Sequence, residues 1–348
     1  MNLDELLAKY EPRVAQAFRD AIEAVKSAVV LKTIVERLER GDISGAVDAI
    51  QVEPDAFASL ELALREAFNA GGVNMVQSLP SLMSPDGTRV LFQFGVRNLE
   101  AERLIREQSS TLVTDITEDQ RHALRSAFET GLAAGKNPTA TALDVVGRAN
   151  RATGRREGGT IGLNSRQVEF IYGDKGARAN LLSGDPERMR RYLDLKTRDR
   201  RFDQSVLKAI REQRAVVPDM VTKIIGRLND KNLLLRGETI GLEETRKALF
   251  SVRDNAIRQQ IGSGKIDAED VTKTWKRSPA EHPRMQHTMI SGTSVALDQP
   301  FTMPDGTEMM YPHEPGAPAR HTLGCHCRLE YDIDYIAAGL RRYRARAA

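Results

Sequence analysis

W-K-R-S-P-A-E-H-P-R-M-Q-H (residues 275–287) and Y-P-H-E-P-G-A-P-A-R-H-T-L-G-C-H-C (residues 311–327) are the two stretches from which the rest of the chain is read. The chain holds six histidines, two cysteines and one tryptophan. Trp275, Cys325, Cys327 and five of the histidines (His282, His287, His313, His321 and His326) all fall between residues 275 and 327. Imidazoles and thiols gathered in so small a part of 348 residues imply a centre that is cross-linked, chelated or reactive.

Two cysteines spaced C-x-C cannot brace a secreted scaffold, and a bond between them is strained. Metal binding is the more natural use of such a pair. If Cys325 and Cys327 share a strand, alternation puts both sulfurs on one face, ~6–7 Å apart along the backbone. One tetrahedral ion then bridges them. His321, four residues before Cys325, and His287, brought across from an earlier segment, complete a closed Cys2His2 zinc set. The competing arrangement is a pair of buried reduced thiols beside hydrogen-bonded histidines. A catalytic use is also open. Cysteine beside histidine makes a nucleophile pair, clustered histidines suit a metal-dependent nuclease, and Glu281, Asp298, Glu308 and Glu314 offer carboxylates. Those carboxylates lack nuclease spacing, and the sequence has no G-x-S-x-G, H-E-x-x-H or P-loop lysine motif.

Composition narrows the class. A chain of 348 residues implies two or three domains. Aromatic residues are only 5% of a 41% hydrophobic content, so the cores are built from Leu, Ile, Val and Ala, which suits helices. Charged residues make up 28% and nearly cancel at +3, which does not indicate a strong nucleic-acid binder overall. No run approaches the ~18–20 apolar residues of a membrane span. Residues 1–10 carry acids among leucines rather than a basic-then-apolar signal. These features predict a soluble protein made and used in the cytosol.

Upstream, the pattern is helical. Val14, Phe18, Ile22, Val25 and Val29 recur at steps of three and four, and Ile34, Val35 and Leu38 continue the stripe to Gly41-Asp42. A helix after Pro54 carries Phe57, Leu60, Leu64 and Phe68 and is expected to stop at Gly71-Gly72. Ser84-Pro85-Asp86-Gly87 predicts a turn, with Val90, Phe92 and Phe94 alternating behind it, and Asn98 caps the next helix. Thr117-Glu118-Asp119-Gln120 has the form of a capping box opening a helix that carries Leu124, Phe128 and Leu132 and closes at Gly135 and Asn137-Pro138. Residues 147–160, rich in Gly and Arg, are the best linker or exposed-loop candidate. Asp185-Pro186 starts a helix. From Arg188 to Arg214 there are ten Lys or Arg against four Asp or Glu, read as a solvated, ion-paired face over a phosphate-binding surface. Val221, Ile224, Ile225 and Leu228 lead in to the last domain, and a separate helix covers Glu243 to Ile261. Beyond Gly264 the β-formers Val271, Thr272, Thr274 and Trp275, the turn Pro304-Asp305-Gly306, and alternating Leu329, Tyr331 and Ile333 predict short strands.

Taken in order, several of these motifs form a recognisable series. Glu243-Glu-Thr-Arg246 on a helix is followed by Val271-Thr-Lys-Thr-Trp275, Arg284-x-x-His287, Ser291-Gly292, Phe301, Tyr311-Pro312 and Gly324-Cys-His-Cys327. Over about residues 230–335 this resembles the C-terminal domain of phage Mu F-like minor head proteins, also called head-morphogenesis proteins. Leu112 to Thr117, Gly135 to Pro138 and Leu163 to Gln167 are similar to the helical part of that family. His313 stands where the family's Tyr-Pro-Gly-Asp-Pro loop carries Gly, and Gly324 and His326 replace Asn and Arg of its Asn-Cys-Arg-Cys ending.

The resemblance implies an α+β protein. A helical N-terminal region (1–145, with a short hairpin near 84–94) is followed by a basic helical middle (146–228) and a small mixed C-terminal domain (229–348). It implies a minor capsid protein acting in head morphogenesis, present in few copies in the virion, assembled in the host cytoplasm and associating with the portal. The metal-ligand candidates are His287, His321, Cys325 and Cys327, for a structural zinc. Arg148, Arg151, Arg155, Arg156, Arg190, Arg191, Arg341, Arg342 and Arg344 are candidates for sequence-independent contact with packaged double-stranded DNA. The rival expectations are a metal-dependent or cysteine-based effector enzyme packaged in the virion, and a plain non-specific DNA-binding protein.

Overall fold

The computed structural model describes residues 1–348 except 80, 81, 84–88, 95–98, 278, 280–282, 339, 341–343 and 345–348. The Ser84–Gly87 turn, the Asn98 cap, Glu281, His282, Arg341 and Arg342 lie outside the described residues.

The first stripe folds as expected: α1 (Leu3–Ala28) buries Val14, Phe18, Ile22 and Val25. Helix α2 (Leu31–Glu39) buries Ile34 and Leu38, and Asp42 caps α3 (Ile43–Asp48) by accepting from the Gly45 amide. A 3-10 turn at Pro54–Phe57 leads into α4 (Ala58–Ser78). That helix does not stop at Gly71-Gly72, because both glycines are used for close approach. A Cβ on Gly71 would lie 2.6 Å from Leu249, and one on Gly72 would lie 2.5 Å from the Phe94 ring. Strands β1 (Leu82–Met83) and β2 (Arg89–Val90) pair antiparallel, and Phe92 and Phe94 behind them pack on a buried apolar cluster.

Helix α5 (Leu99–Ala133) runs straight through the predicted capping box. Thr117 donates to the Thr114 carbonyl one turn back, and Gln120, fully buried, accepts from the Gly162 amide. The local signal for a helix start yields to tertiary contacts that satisfy the same polar groups in mid-helix. Asn137 caps α6 (Pro138–Val146). The Gly/Arg-rich stretch is an exposed loop at residues 151–155 and not a linker: β3 (Arg148–Ala149) and β4 (Arg156–Glu157) pair on either side of it, and Gly147, Gly158 and Gly159 are buried. Helices α7 (Ser165–Tyr172) and α8 (Ala177–Leu182) follow. Asp185 caps α9 (Pro186–Leu193), accepting from the Glu187 and Arg188 amides. Replacing Asp185 by Ala is expected to lower stability by about 1 kcal/mol, read by urea denaturation, because two first-turn donors lose their acceptor. Helix α10 (Asp203–Arg211) then precedes α11 (Pro218–Gly262), a single 45-residue helix where the sequence suggests a lead-in and a separate helix.

The remaining elements are short: β5 (Val271–Lys276), α12 (Met285–Met289), β6 (Ser294–Ala296), β7 (Phe301–Thr302), β8 (Glu308–Met309), α13 (Ala319–Thr322) and β9 (Arg328–Ile333). Strand β5 is central in the antiparallel order β6-β5-β9, and β7 pairs β8 across the Pro304-Asp305-Gly306 turn. A predominantly helical chain with small antiparallel sheets is the expected α+β class.

The chain divides into two compact units, each discontinuous in sequence: residues 1–15, 61–110 and 239–348, and residues 16–60 and 111–238. They are not the consecutive regions 1–145, 146–228 and 229–348. The reason is helix length: α1, α4, α5 and α11 each contribute residues to both units.

Candidate metal centre

In the unit that contains residues 239–348, period-two alternation turns Val271, Lys273 and Trp275 of β5 to the buried side. Paired β9 sets Leu329 opposite Trp275 and Tyr331 opposite Lys273. Trp275 is fully buried, and its ring meets the edges of His287 (centroids 5.4 Å) and Phe301 (5.3 Å). Its indole N–H has no hydrogen-bond partner among the described residues, so packing alone holds the ring. Removing ~150–250 Å² of aromatic surface from water stabilises this core by roughly 4–6 kcal/mol. Ile290, Met303, Met309, Cys325, Cys327 and Leu329 complete the apolar cluster.

Against that wall stand His287, Cys325 and Cys327, each 1% exposed, with ligand atoms all within 4.8 Å of one another. His287 projects inward from α12. The cysteines do not lie on a strand as expected. They occupy the coil between Gly324, whose φ is +63°, and the first residue of β9. Both sulfurs nevertheless approach the same atom: His287 Nδ1 is 3.5 Å from Cys325 Sγ and 3.3 Å from Cys327 Sγ.

Two sulfurs and an imidazole nitrogen around one zinc sit ~3.5 Å apart along each S–N edge, given bonds of ~2.3 and ~2.05 Å. The observed spacing matches. One nitrogen lone pair cannot accept two thiol hydrogens well, whereas one cation between the three atoms satisfies all of them. The Cys327 amide also donates towards Cys325 Sγ, 3.4 Å away. Contact with the Cys327 sulfur, then burial, push the Cys325 thiol far above its ordinary value, so two thiolates need a cation beside them. The cluster can therefore hold a metal ion.

His321, predicted as the fourth ligand, lies one step outside this set. Its Nδ1 is 3.1 Å from His287 Nε2, and its Nε2 is 2.9 Å from Asp305 Oδ2. With both ring nitrogens engaged it has none to offer the ion. Asp305, legible in sequence only as a turn residue, is held well below the usual carboxylate range, first by the Thr307 amide and also by His321 and Arg320.

A second set of polar contacts ties the cysteine segment to α11. His313 Nε2 is 2.8 Å from the Cys325 carbonyl and His313 Nδ1 is 3.1 Å from Glu243 Oε2, while Glu243 Oε1 accepts from the Gly324 amide. Arg246 donates to the Cys325 carbonyl (3.3 Å), to His326 Nδ1 (3.1 Å) and to Glu11 Oε1 (2.8 Å). Burial, then the Arg246 charge, hold His326 below its ordinary value. Glu243 and Arg246 stand out in the sequence only as part of a helix motif, and nothing in their spacing shows that they bond the cysteine segment. Lys273 is a further buried residue that the sequence reading did not single out; it shares the buried side of β5 with Val271 and Trp275. Fully buried, it donates to the Met310 carbonyl (3.0 Å), and burial lowers its pKa.

The basic candidates lie elsewhere. Arg148, Arg151 and Arg155 are exposed on the β3–β4 hairpin, with Arg148 3.3 Å from Asp144. Arg156 is half-buried and donates to the Gly147 carbonyl. Arg190 and Arg191 are exposed on α9, and Arg344 is exposed near the C-terminus.

No family model matches the chain, and no solved structure matches it. A stretch of 71 residues is 32% identical to the uncharacterized protein YqbB of Bacillus subtilis (strain 168). The match covers 20% of this chain and 23% of that protein's length, so it is a likeness of one segment only.

Proposed function

We propose that this protein is a minor head protein of a tailed phage, acting structurally in head morphogenesis, in contact with the portal and with packaged DNA. The observation that carries the reading is the convergence of the motifs. Glu243 and Arg246, Trp275, Arg284 and His287, Tyr311, and Cys325 to Cys327 are widely separated in sequence. They are joined through one buried centre: Glu243 and Arg246 bond the cysteine segment, Trp275 packs on His287, and Arg284 donates to the Leu323 carbonyl. That these motifs pack together supports reading them as parts of one module.

The loop at His313 gives further support. Its backbone has φ +59°, the left-handed region that glycine enters freely and other residues enter at a cost. It stands where the resembled family carries Gly. Here a side chain is present, and its two hydrogen bonds offset the strain.

Within this reading the cluster holds a structural zinc. The ligands are soft and buried, and the surrounding wall is apolar, so the ion would fix shape rather than meet substrate. Exposed Arg148, Arg151, Arg155, Arg190 and Arg191 would neutralise phosphates without reading bases. Mass spectrometry of purified particles tests the assignment. The protein should be present at a few copies per particle, far below the shell subunit. Its absence from particles that package DNA normally would count decisively against the reading.

A further inference from the structure

The hydrogen positions around His321 follow from its neighbours. Asp305 accepts from the Thr307 amide (3.0 Å, Oδ1) and from Arg320 Nε (2.8 Å, Oδ2). A carboxylate so surrounded by donors takes a hydrogen from His321 Nε2 as well. A neutral imidazole has one N–H, so His321 Nδ1 is then an acceptor, and its partner at 3.1 Å, His287 Nε2, must donate. His287 in turn has its only hydrogen on Nε2. Its Nδ1 carries a bare lone pair, and that is the atom facing both sulfurs. The ring centroids are 5.4 Å apart with planes 18° from parallel, the separation that two near-coplanar imidazoles joined by a 3.1 Å N–N contact take. Both are 1% exposed, and water does not compete for these positions.

We propose that Asp305 and His321 form a relay that locks His287 in its metal-ligating tautomer, so that the chain supplies three ligands and His321 is a positioning residue. The inference rests on the metal reading above and deepens it. A carboxylate behind a metal-bound histidine is a recurring arrangement, and losing such a partner weakens metal affinity about 10- to 100-fold. Here the carboxylate acts through a second imidazole, which carries its orientation inward from the β7–β8 turn to the buried nitrogen.

The test is zinc titration of the full chain against a chromophoric chelator, with cobalt substitution as a spectroscopic probe. Asp305→Asn and His321→Ala should each weaken zinc binding about 10- to 100-fold. Both should keep one ion per chain and the thiolate-to-cobalt charge-transfer band. Nitrogen-15 shifts of the imidazoles in the zinc-loaded wild type should place hydrogen on His287 Nε2 and metal on Nδ1. Asp305→Asn is nearly isosteric at a turn residue, so it serves where His321→Ala fails to fold. Wild-type affinity in both variants would overturn the relay. So would cobalt ligand-field bands that change in His321→Ala but not in Asp305→Asn, because His321 would then be a ligand. A wild-type chain that binds no zinc, or a Cys325→Ser variant that binds it unchanged, would instead overturn the metal reading itself.

Discussion

Replacing Cys325 and Cys327 together by serine should abolish zinc binding and lower stability by about 4 kcal/mol or more, at the upper end of what local changes produce. Two effects add. The ion's binding free energy, which is folding free energy where no preformed site survives unfolding, is lost. Two hydroxyls also replace sulfurs in a cluster walled by Trp275, Phe301, Met303 and Met309, where His287 Nδ1 offers the pair a single acceptor. Calorimetry with and without a strong chelator separates the contributions. Chelator should destabilise the wild type by most of the same amount and leave the double variant unmoved. Equal melting of wild type and variant, each indifferent to chelator, would mean that the thiols only fill space.

The second large effect is expected in the other unit. Gly159→Ala should destabilise it by about 2–5 kcal/mol, from roughly 1–2 for a non-glycine residue in the left-handed region and 1–3 for overlap. Gly159 has φ +78°, and a Cβ there would lie 2.5 Å from the Gly147 amide nitrogen and 2.6 Å from the Val145 carbonyl oxygen. These are backbone atoms that cannot rotate away. Gly154→Ala is the control. Its φ is +68° with nothing within 4 Å, so only the conformational part, about 1–2 kcal/mol, remains. Equal losses at the two positions in urea denaturation would show that the backbone around Gly147 and Gly159 yields easily.

Those glycines also show where local reading ends. A Gly/Arg-rich run reads as a linker or an exposed loop; the loop is there at residues 151–155, but composition does not report what the flanking glycines pack against. Gly71 and Gly72 read as a helix stop for the same reason, although their missing side chains let Leu249 and Phe94 approach. The Thr117–Gln120 box failed because a buried partner, the Gly162 amide, offered Gln120 a better bond than a helix terminus does.

The sequence by itself determined the periodic elements. The α1 stripe, the Asp185 cap, the β-formers of β5, the alternation of β9 and the turn at Asp305 depend on neighbours a few residues away. It also narrowed the candidate ligands to His287, His321, Cys325 and Cys327, because imidazoles and thiols are concentrated in one stretch. Tertiary structure alone decided which histidine faces the sulfurs, and it put His321 behind His287 instead of beside it. Spacing along a chain limits which atoms can meet. Which lone pair points where depends on the hydrogen bonds made on the far side of each ring, and here those come from Asp305.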